Sequence, residues 1–249
     1  MNDIKAMLDK YTDEINVPEF VERDPVLFPR RFSQLPDIEV SAFVTAVNAW
    51  GRRDMILRDM EKLHEIMGNS PFDFVMSADL SKFDPRKAVH RTFNMYDFAY
   101  ISRGLRSIYS ELNSLEEYFI DNDMFDGIKK LRSDIISANK GAPQRSTKHL
   151  PDPDAGSACK RMHLFLRWMV RNDGIVDLGV WPNVSPADLY IPLDVHVGRT
   201  SRKSGLITRT RNDRKTVEEL TAILRRFDPC DPVKYDFGLF GAGEAKLLS

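Results

Sequence analysis

The sequence predicts an almost entirely α-helical protein, and three observations carry that reading. Apolar residues recur at helical spacing in most of the chain, as in "RDMILRDMEKLHEIMG", where Ile56, Met60, Leu63, Ile66 and Met67 share one face. Glycines and prolines fall where helices should stop and start, for example Gly68 and Gly141 after periodic runs. Strand-like alternation occurs at one place, Ile191, Leu193, Val195 and Val197, and Pro192 interrupts it.

Taken in order, residues 2–16 read as a short helix, and the prolines at 18, 25, 29 and 36 suggest an extended arm after it. "DIEVSAFVTAVNAW" follows as a helix with Asp37 as its N-cap, broken near Gly51. The next helix is the "RDMILRDMEKLHEIMG" segment. "ADLSKFDPRKAVHRTF" holds Pro85 and reads as a loop or a helix start. "MYDFAYISRGLRSIYSEL", "SLEEYFI" and "DGIKKLRSDIISANKG" read as three further helices. Residues 141–158 hold three prolines and two glycines without periodicity, which suggests a functional or mobile loop. This break divides the chain into an N-terminal arm and helical lobe (1–140) and a C-terminal unit (141–249).

"CKRMHLFLRWMVRN" is apolar almost all round, as a buried helix would be. "TVEELTAILRRFDP" shows a Thr216/Glu219 capping box and an apolar stripe. "DPVKYDFGLFGAGE" reads as the closing helix. For "IPLDVHVGRTSRKSGLI" a strand and a helix compete. The helical reading is preferred: Asp194 is the N-cap, 195–204 the helix, and Gly205 the left-handed residue beyond it.

Composition narrows the function classes. The chain of 249 residues has 42% hydrophobic residues, 29% charged residues and a net charge of −1, as for an ordinary globular protein. The charge is uneven. Residues 1–139 hold 18 Lys/Arg against 24 Asp/Glu, and residues 140–249 hold 18 against 13. The C-terminal part therefore carries a surplus of +5, which suggests a basic face for an anionic partner. Two cysteines without metal spacing exclude a structural zinc and a four-cysteine iron–sulfur cluster. Together with an N-terminus that lacks a signal-peptide pattern, they suggest a reducing, cytoplasmic setting. The most apolar run, "MHLFLRWMV", is far shorter than the ~20 residues needed to span a bilayer, so no membrane association is expected. No cofactor and no metal are expected. Among the five histidines, the Asp194-x-His196 pair is the one metal pattern weighed, and it is set aside.

Three features could carry chemistry. Asp194 at a helix N-terminus would be a fixed anion facing a basic surface, suited to stabilising a developing cation. The plain alternative is an ordinary N-cap. Lys160 starts the buried helix, where an ammonium is disfavoured and a free amine could attack an electrophilic carbon. The plain alternative is a solvated lysine at a loop edge, with Arg161 beside it. Segment 199–215 holds seven Lys/Arg and one acid, Asp213, and suits phosphate contact or simple solvation. Cys159 reads as inert. "WGRR" (50–53) and "VHRTF" (89–93) join aromatic and basic residues and could line a base pocket.

"PLDVHVGRTSRKSGLI" resembles the "VDTHVxRVxxRLGLV" segment of the helix-hairpin-helix DNA glycosylases, the endonuclease III-like superfamily. That family's catalytic Asp matches Asp194. Helix 213–227 and the closing "VKYDFGLFGAGE" follow in the same order. Residues 155–244 as a whole also resemble an uncharacterised bacterial family described only as a domain of unknown function. Within the superfamily the archaeal 8-oxoguanine glycosylases look most similar, and they too carry a Lys at a helix start before the Asp. The hairpin departs from the usual L-P-G-x-G-x-K-T-A, reading "LPDPDAGSACKRM" with Gly156 as its one glycine.

The resemblance implies a two-lobed helical fold with the site in the cleft between lobes. It implies cleavage of the N-glycosidic bond of a damaged base flipped out of double-stranded DNA, with Schiff-base lyase chemistry as an addition. Lys160 would be the nucleophile and Asp194 the carboxylate that stabilises positive charge. Arg161, Arg199, Arg202 and Lys203 would hold phosphates, and Arg52, His90 and Arg91 are candidate pocket residues. A monomer is expected. The alternative is a non-catalytic nucleic-acid-binding protein on the same fold.

Overall fold

The computed structural model describes residues 2–245. They form an all-α fold: eleven α-helices joined by 3-10 turns, with one two-stranded hairpin among the described residues. Helix α1 (Asn2–Ile15) buries Leu8, Tyr11 and Thr12 and packs along α11 (Tyr235–Glu244), so the first and last helices are neighbours.

The proline-rich arm is helical rather than extended. Pro18 opens α2 (Pro18–Val21), Pro25 and Pro29 open 3-10 turns at Pro25–Leu27 and Pro29–Arg31, and Pro36 lies in the first turn of α3 (Leu35–Val47). A fixed φ near −65° and a missing N–H suit the first helical position, so each proline starts a turn. Asp37 does not cap α3. Its Oδ1 instead accepts the Phe72 N–H at 2.9 Å, in the first turn of α5 (Pro71–Ser77).

Helix α4 (Arg53–Ile66) precedes α5, and Gly68 follows it in the left-handed region, as the sequence suggested. The segment read as a loop or helix start contains the hairpin, β1 (Ala88–His90) and β2 (Phe93–Asn94), turning at Arg91 with φ 51°. Strands of three and two residues are too short to show alternation. Asn94 and Asp97 then close a reciprocal capping box on α6 (Met95–Tyr109). "SLEEYFI" forms a 3-10 turn (Leu115–Tyr118) instead of an α-helix, and α7 (Met124–Ser137) follows.

The loop 141–158 is pinned. Its 3-10 turn Gln144–His149 docks on α6 through Ser146 Oγ, which donates to Asp97 Oδ1 at 2.7 Å. Farther on, the Arg214 N–H donates to Gly156 O at 3.0 Å, beside a bridge between Ser157 and Asp213. Helix α8 (Lys160–Val170) is buried as expected and packs on α3. Two buried cations at its C-terminal end are paired: Arg167 with Asp177 and Asp236, and Arg171, just past the last turn, with Asp173, Asp177 and Asp231. Helix α9 (Val195–Lys203) settles the strand-or-helix question, with Asp194 as N-cap and Gly205 left-handed at φ 71°. In α10 (Arg214–Phe227) the cap is Asp213, not Thr216. Asp213 Oδ1 accepts the Thr216 N–H at 3.0 Å, while the Thr216 hydroxyl donates to Arg211 O.

Glu39 ties the core together. Buried on α3, its carboxylate accepts from Trp181 Nε1 (2.7 Å), Tyr109 Oη (2.8 Å), Ser114 Oγ (2.5 Å) and the Leu115 N–H (3.1 Å). Phe165 of α8 packs edge-on against Phe43 of α3 and against Trp181. The same buried carboxylate thus links α3 to α6, to the turn before α7 and to the chain beyond α8. Among the described residues no helix is long and apolar enough to cross a membrane.

Candidate active site

A cleft of about 690 Å³ opens where distant parts of the chain converge: the arm at residues 20–25, the end of α3, the start of α4, the start of α8, the lead into α9, Asn212 and the face of α11. Lys160 and Asp194, 34 residues apart in sequence, both line it. Each stands at a helix N-terminus. Lys160 is the first residue of α8, and Asp194 caps α9 by accepting the Val197 N–H at 2.8 Å.

Lys160 keeps some solvent access at the cleft wall, yet protein surrounds its ammonium. Burial pushes its pKa below the ordinary lysine value, and the carboxylates of Asp194, Asp236 and Asp24 push it back up. Its one side-chain hydrogen bond among the described residues is a long one, from Nζ to Ala49 O at 3.4 Å. The residue before it, Cys159, sits in the left-handed region at φ 48°, and burial raises its thiol to about 11, so it is no nucleophile at neutral pH.

Asp236 is the site residue that the sequence reading missed. It projects from α11 into the cleft and accepts a hydrogen bond from Arg167 Nη1. Burial raises its pKa to about 6; Arg167 and Lys160 lower it, and Asp194 raises it. Lys160, Asp194 and Asp236 therefore sense one another's charge. A signal for this was present: Arg167 and Asp236 are single charges inside otherwise apolar helical stretches, and such charges need partners.

The cleft is also lined by aromatic rings. Trp50, Phe20, Phe237 and Phe240 line the cleft, and Arg53 lies over the rings of Phe20 and Phe240, 5.5 and 5.1 Å from their centroids. Gly51 beside Trp50 has φ +99°, and a Cβ there would stand 2.4 Å from the Arg91 guanidinium, so this turn requires glycine. "WGRR" and "VHRTF", both singled out in the sequence, meet here. Arg91 covers Trp50 at 4.7 Å from the ring centroid.

His90 is not a pocket residue. It is buried, with Nδ1 2.8 Å from Asp59 Oδ2 and Nε2 2.8 Å from Trp50 O, so it fixes the backbone of Trp50 from behind. Arg52 also lies outside the cleft, exposed and paired with Asp54 at 2.7 Å.

Of the four expected phosphate holders, Arg199 and Lys203 are exposed on α9, and Arg199 Nη2 stands 3.4 Å from His196 Nδ1. Arg202 is occupied. It donates to Arg209 O (2.6 Å), Arg211 O (3.2 Å) and Asn212 Oδ1 (2.6 Å), and so holds the loop before α10 in place of a phosphate. Arg161 donates from Nη1 to Val47 O at the end of α3 and faces the cleft only in part. Among the described residues no group of three or more His, Cys, Asp or Glu is placed to hold a metal.

No curated protein and no solved structure matches the chain. A family model described as "Protein of unknown function (DUF2400)" matches residues 24–245, which takes in every element from the Pro25 turn to the end of α11. The chain belongs to the DUF2400 family.

Proposed function

We propose that the protein is a DNA N-glycosylase that releases a damaged base through an amine nucleophile, Lys160. The observation that carries this reading is the meeting of Lys160 and Asp194, two helix-starting residues far apart in sequence, in one cleft with aromatic walls. About 690 Å³ is ample for a single base and its sugar. Trp50 and Phe240 offer rings for stacking an extruded base.

In this reaction the neutral Lys160 amine forms a bond to C1′ of the deoxyribose. The C1′–N bond to the base breaks, and its electron pair leaves with the base, which takes up a proton. Asp194 stabilises the positive charge on the sugar as that bond breaks. The sugar ring then opens as the amine nitrogen loses a proton and O4′ gains one, leaving a Schiff base. Loss of a C2′ proton allows the 3′ phosphate to depart. Asp236, with its pKa near 6, is placed to exchange a proton in the cleft. Arg199 and Lys203 hold phosphates at the rim.

Borohydride trapping tests this. The protein is incubated with duplexes holding 8-oxoguanine, uracil, hypoxanthine or an abasic site, and hydride reduces any C=N bond to a stable adduct. The expected result is a covalent protein–DNA adduct that Lys160→Gln abolishes. Absence of adduct and of base release on every lesion, with salt-sensitive DNA binding retained, would point instead to a binding protein on this fold.

A further inference from the structure

Beside the cleft lies a second cavity of about 350 Å³, lined by Trp50, Thr92, Lys148, His149 and Arg161. Trp50 and Arg161 line both cavities. No acidic side chain lines the smaller one, whereas the cleft holds three, Asp24, Asp194 and Asp236.

Arg161 differs from the two arginines at the other end of α8, Arg167 in its last turn and Arg171 just past it. Arg167 and Arg171 are buried, and each is balanced by at least two carboxylates. Arg161 is half-buried, and its one protein acceptor among the described residues is the neutral carbonyl of Val47. Burial pushes its pKa down to about 10, and no carboxylate acts to restore it. Even a partly desolvated guanidinium without a counter-charge is unfavourable, and a bound anion would supply the missing charge. Nearby, the Trp50 indole N–H is buried without a hydrogen-bond partner among the described residues, an unused donor on a residue of the same cavity. Lys148, exposed, stands at this cavity with no ion-pair partner among the described residues, and Thr92 adds a hydroxyl.

We propose that this cavity is a phosphoryl-binding subsite, in which Arg161 and Lys148 take a nucleotide phosphate next to the cleft. The planar guanidinium suits two phosphate oxygens, and the mobile ammonium suits the solvent side. The subsite does not depend on the chemistry at Lys160. A phosphate could reach it as a backbone phosphodiester of a bound strand or as the terminal phosphate of a free nucleotide, and the recognition chemistry is the same.

The test is a titration of the full chain with inorganic phosphate, thymidine 5′-monophosphate, thymidine and the dinucleoside phosphate TpT. Tryptophan fluorescence follows it, because Trp168 and Trp181 are fully buried and Trp50 alone of the three tryptophans lines the cavity. Saturable quenching is expected with the phosphate-bearing probes and not with thymidine. Stronger binding of the monophosphate assigns a terminal phosphate, and equal or stronger binding of TpT assigns the strand backbone.

Arg161→Gln should weaken binding by about tenfold or more, the loss of one or two charge-assisted hydrogen bonds. Lys148→Glu is the safer variant for folding, since position 148 is exposed. It supplies Arg161 with a carboxylate and should abolish phosphate binding while raising the melting temperature. No saturable response to any phosphate probe in the wild type would overturn the proposal, as would unchanged affinity in Lys148→Glu. The assay contains no damaged base and no trapping step, so its failure and that of the glycosylase reading are separate results.

Discussion

Asp194 Oδ1 accepts the Val197 N–H at 2.8 Å, so the carboxylate proposed to stabilise positive charge is also the cap of α9. The two roles separate by substitution. Asn caps nearly as well as Asp but carries no charge, so Asp194→Asn should keep the wild-type melting temperature and lose base release. Asp194→Ala should lose base release and also about 1 kcal/mol of stability. Denaturant melts of both variants, run beside base-release assays, check this. Equal activity in Asp194→Asn and wild type would remove the carboxylate from the mechanism.

Burial lowers the Lys160 pKa, and three carboxylates oppose that shift. Trapping on an abasic-site duplex should therefore reach its plateau at a pH below the ordinary lysine value. Asp24 lines the cleft, and its Oδ1 accepts the Val26 N–H at 3.0 Å, a bond an Asn oxygen can replace. Asp24→Asn removes a negative charge that favours the ammonium, so the trapping profile should move to lower pH. A shift in the opposite direction would rule out the proposed charge coupling.

Exposed Arg199 and Lys203 should each release about one counterion on binding DNA. Replacing either with Ala should flatten the slope of log K against log salt by about 1. Arg202→Ala should leave that slope nearly unchanged and lower the melting temperature, because Arg202 holds the 209–212 loop. Fluorescence anisotropy across a salt series reads both effects.

His163 lies buried between Phe125 and Tyr190, and neither ring nitrogen has a hydrogen-bond partner among the described residues. Burial pushes its pKa down to about 3. The folded chain keeps this ring neutral, while an unfolded histidine takes a proton near its ordinary value of 6.5. Its contribution to stability is thus complete above pH 6.5 and is lost as pH falls toward 3. His163→Leu should raise stability at pH 7 by roughly 1 kcal/mol and flatten the pH dependence between those values. Denaturant unfolding at several pH values gives the answer; a less stable variant at pH 7 would mean that the ring makes a bond with water.

Glu39 serves four donors, among them the Trp181 indole at 2.7 Å. The amide of Glu39→Gln has one oxygen, and its NH2 group cannot accept, so at least one buried donor loses its acceptor. The expected cost is about 1–3 kcal/mol, visible as a lower denaturation midpoint with unchanged m-value.

How much of this was legible in sequence varies by element. Helices α4, α6, α7, α8 and α10 were readable because each buries one apolar stripe or is buried throughout, and local periodicity records that. Asp194 as a cap was readable for the same reason, since capping is decided within a few residues. The hairpin at 88–94 and the 3-10 turn at 115–118 were not, because such short pieces carry no period. Asp37 shows another limit: its type was right for a cap, but the N–H it caps, that of Phe72, lies 35 residues later in another helix.

The sequence by itself determined the helical class, the surplus of positive charge in its C-terminal part, and the two helix starts that present Lys160 and Asp194. Only the tertiary structure decided which charges are free. Arg202 and His90 looked available and are spent on loop carbonyls and on the backbone of Trp50. Arg167 and Asp236, 69 residues apart, found each other in the cleft wall, while Arg161, six residues before Arg167, was left without a carboxylate among the described residues. The physical reason is that a stripe or a cap is set by neighbours in sequence, whereas the pairing of a buried charge is set by whatever the fold brings within a few ångströms of it.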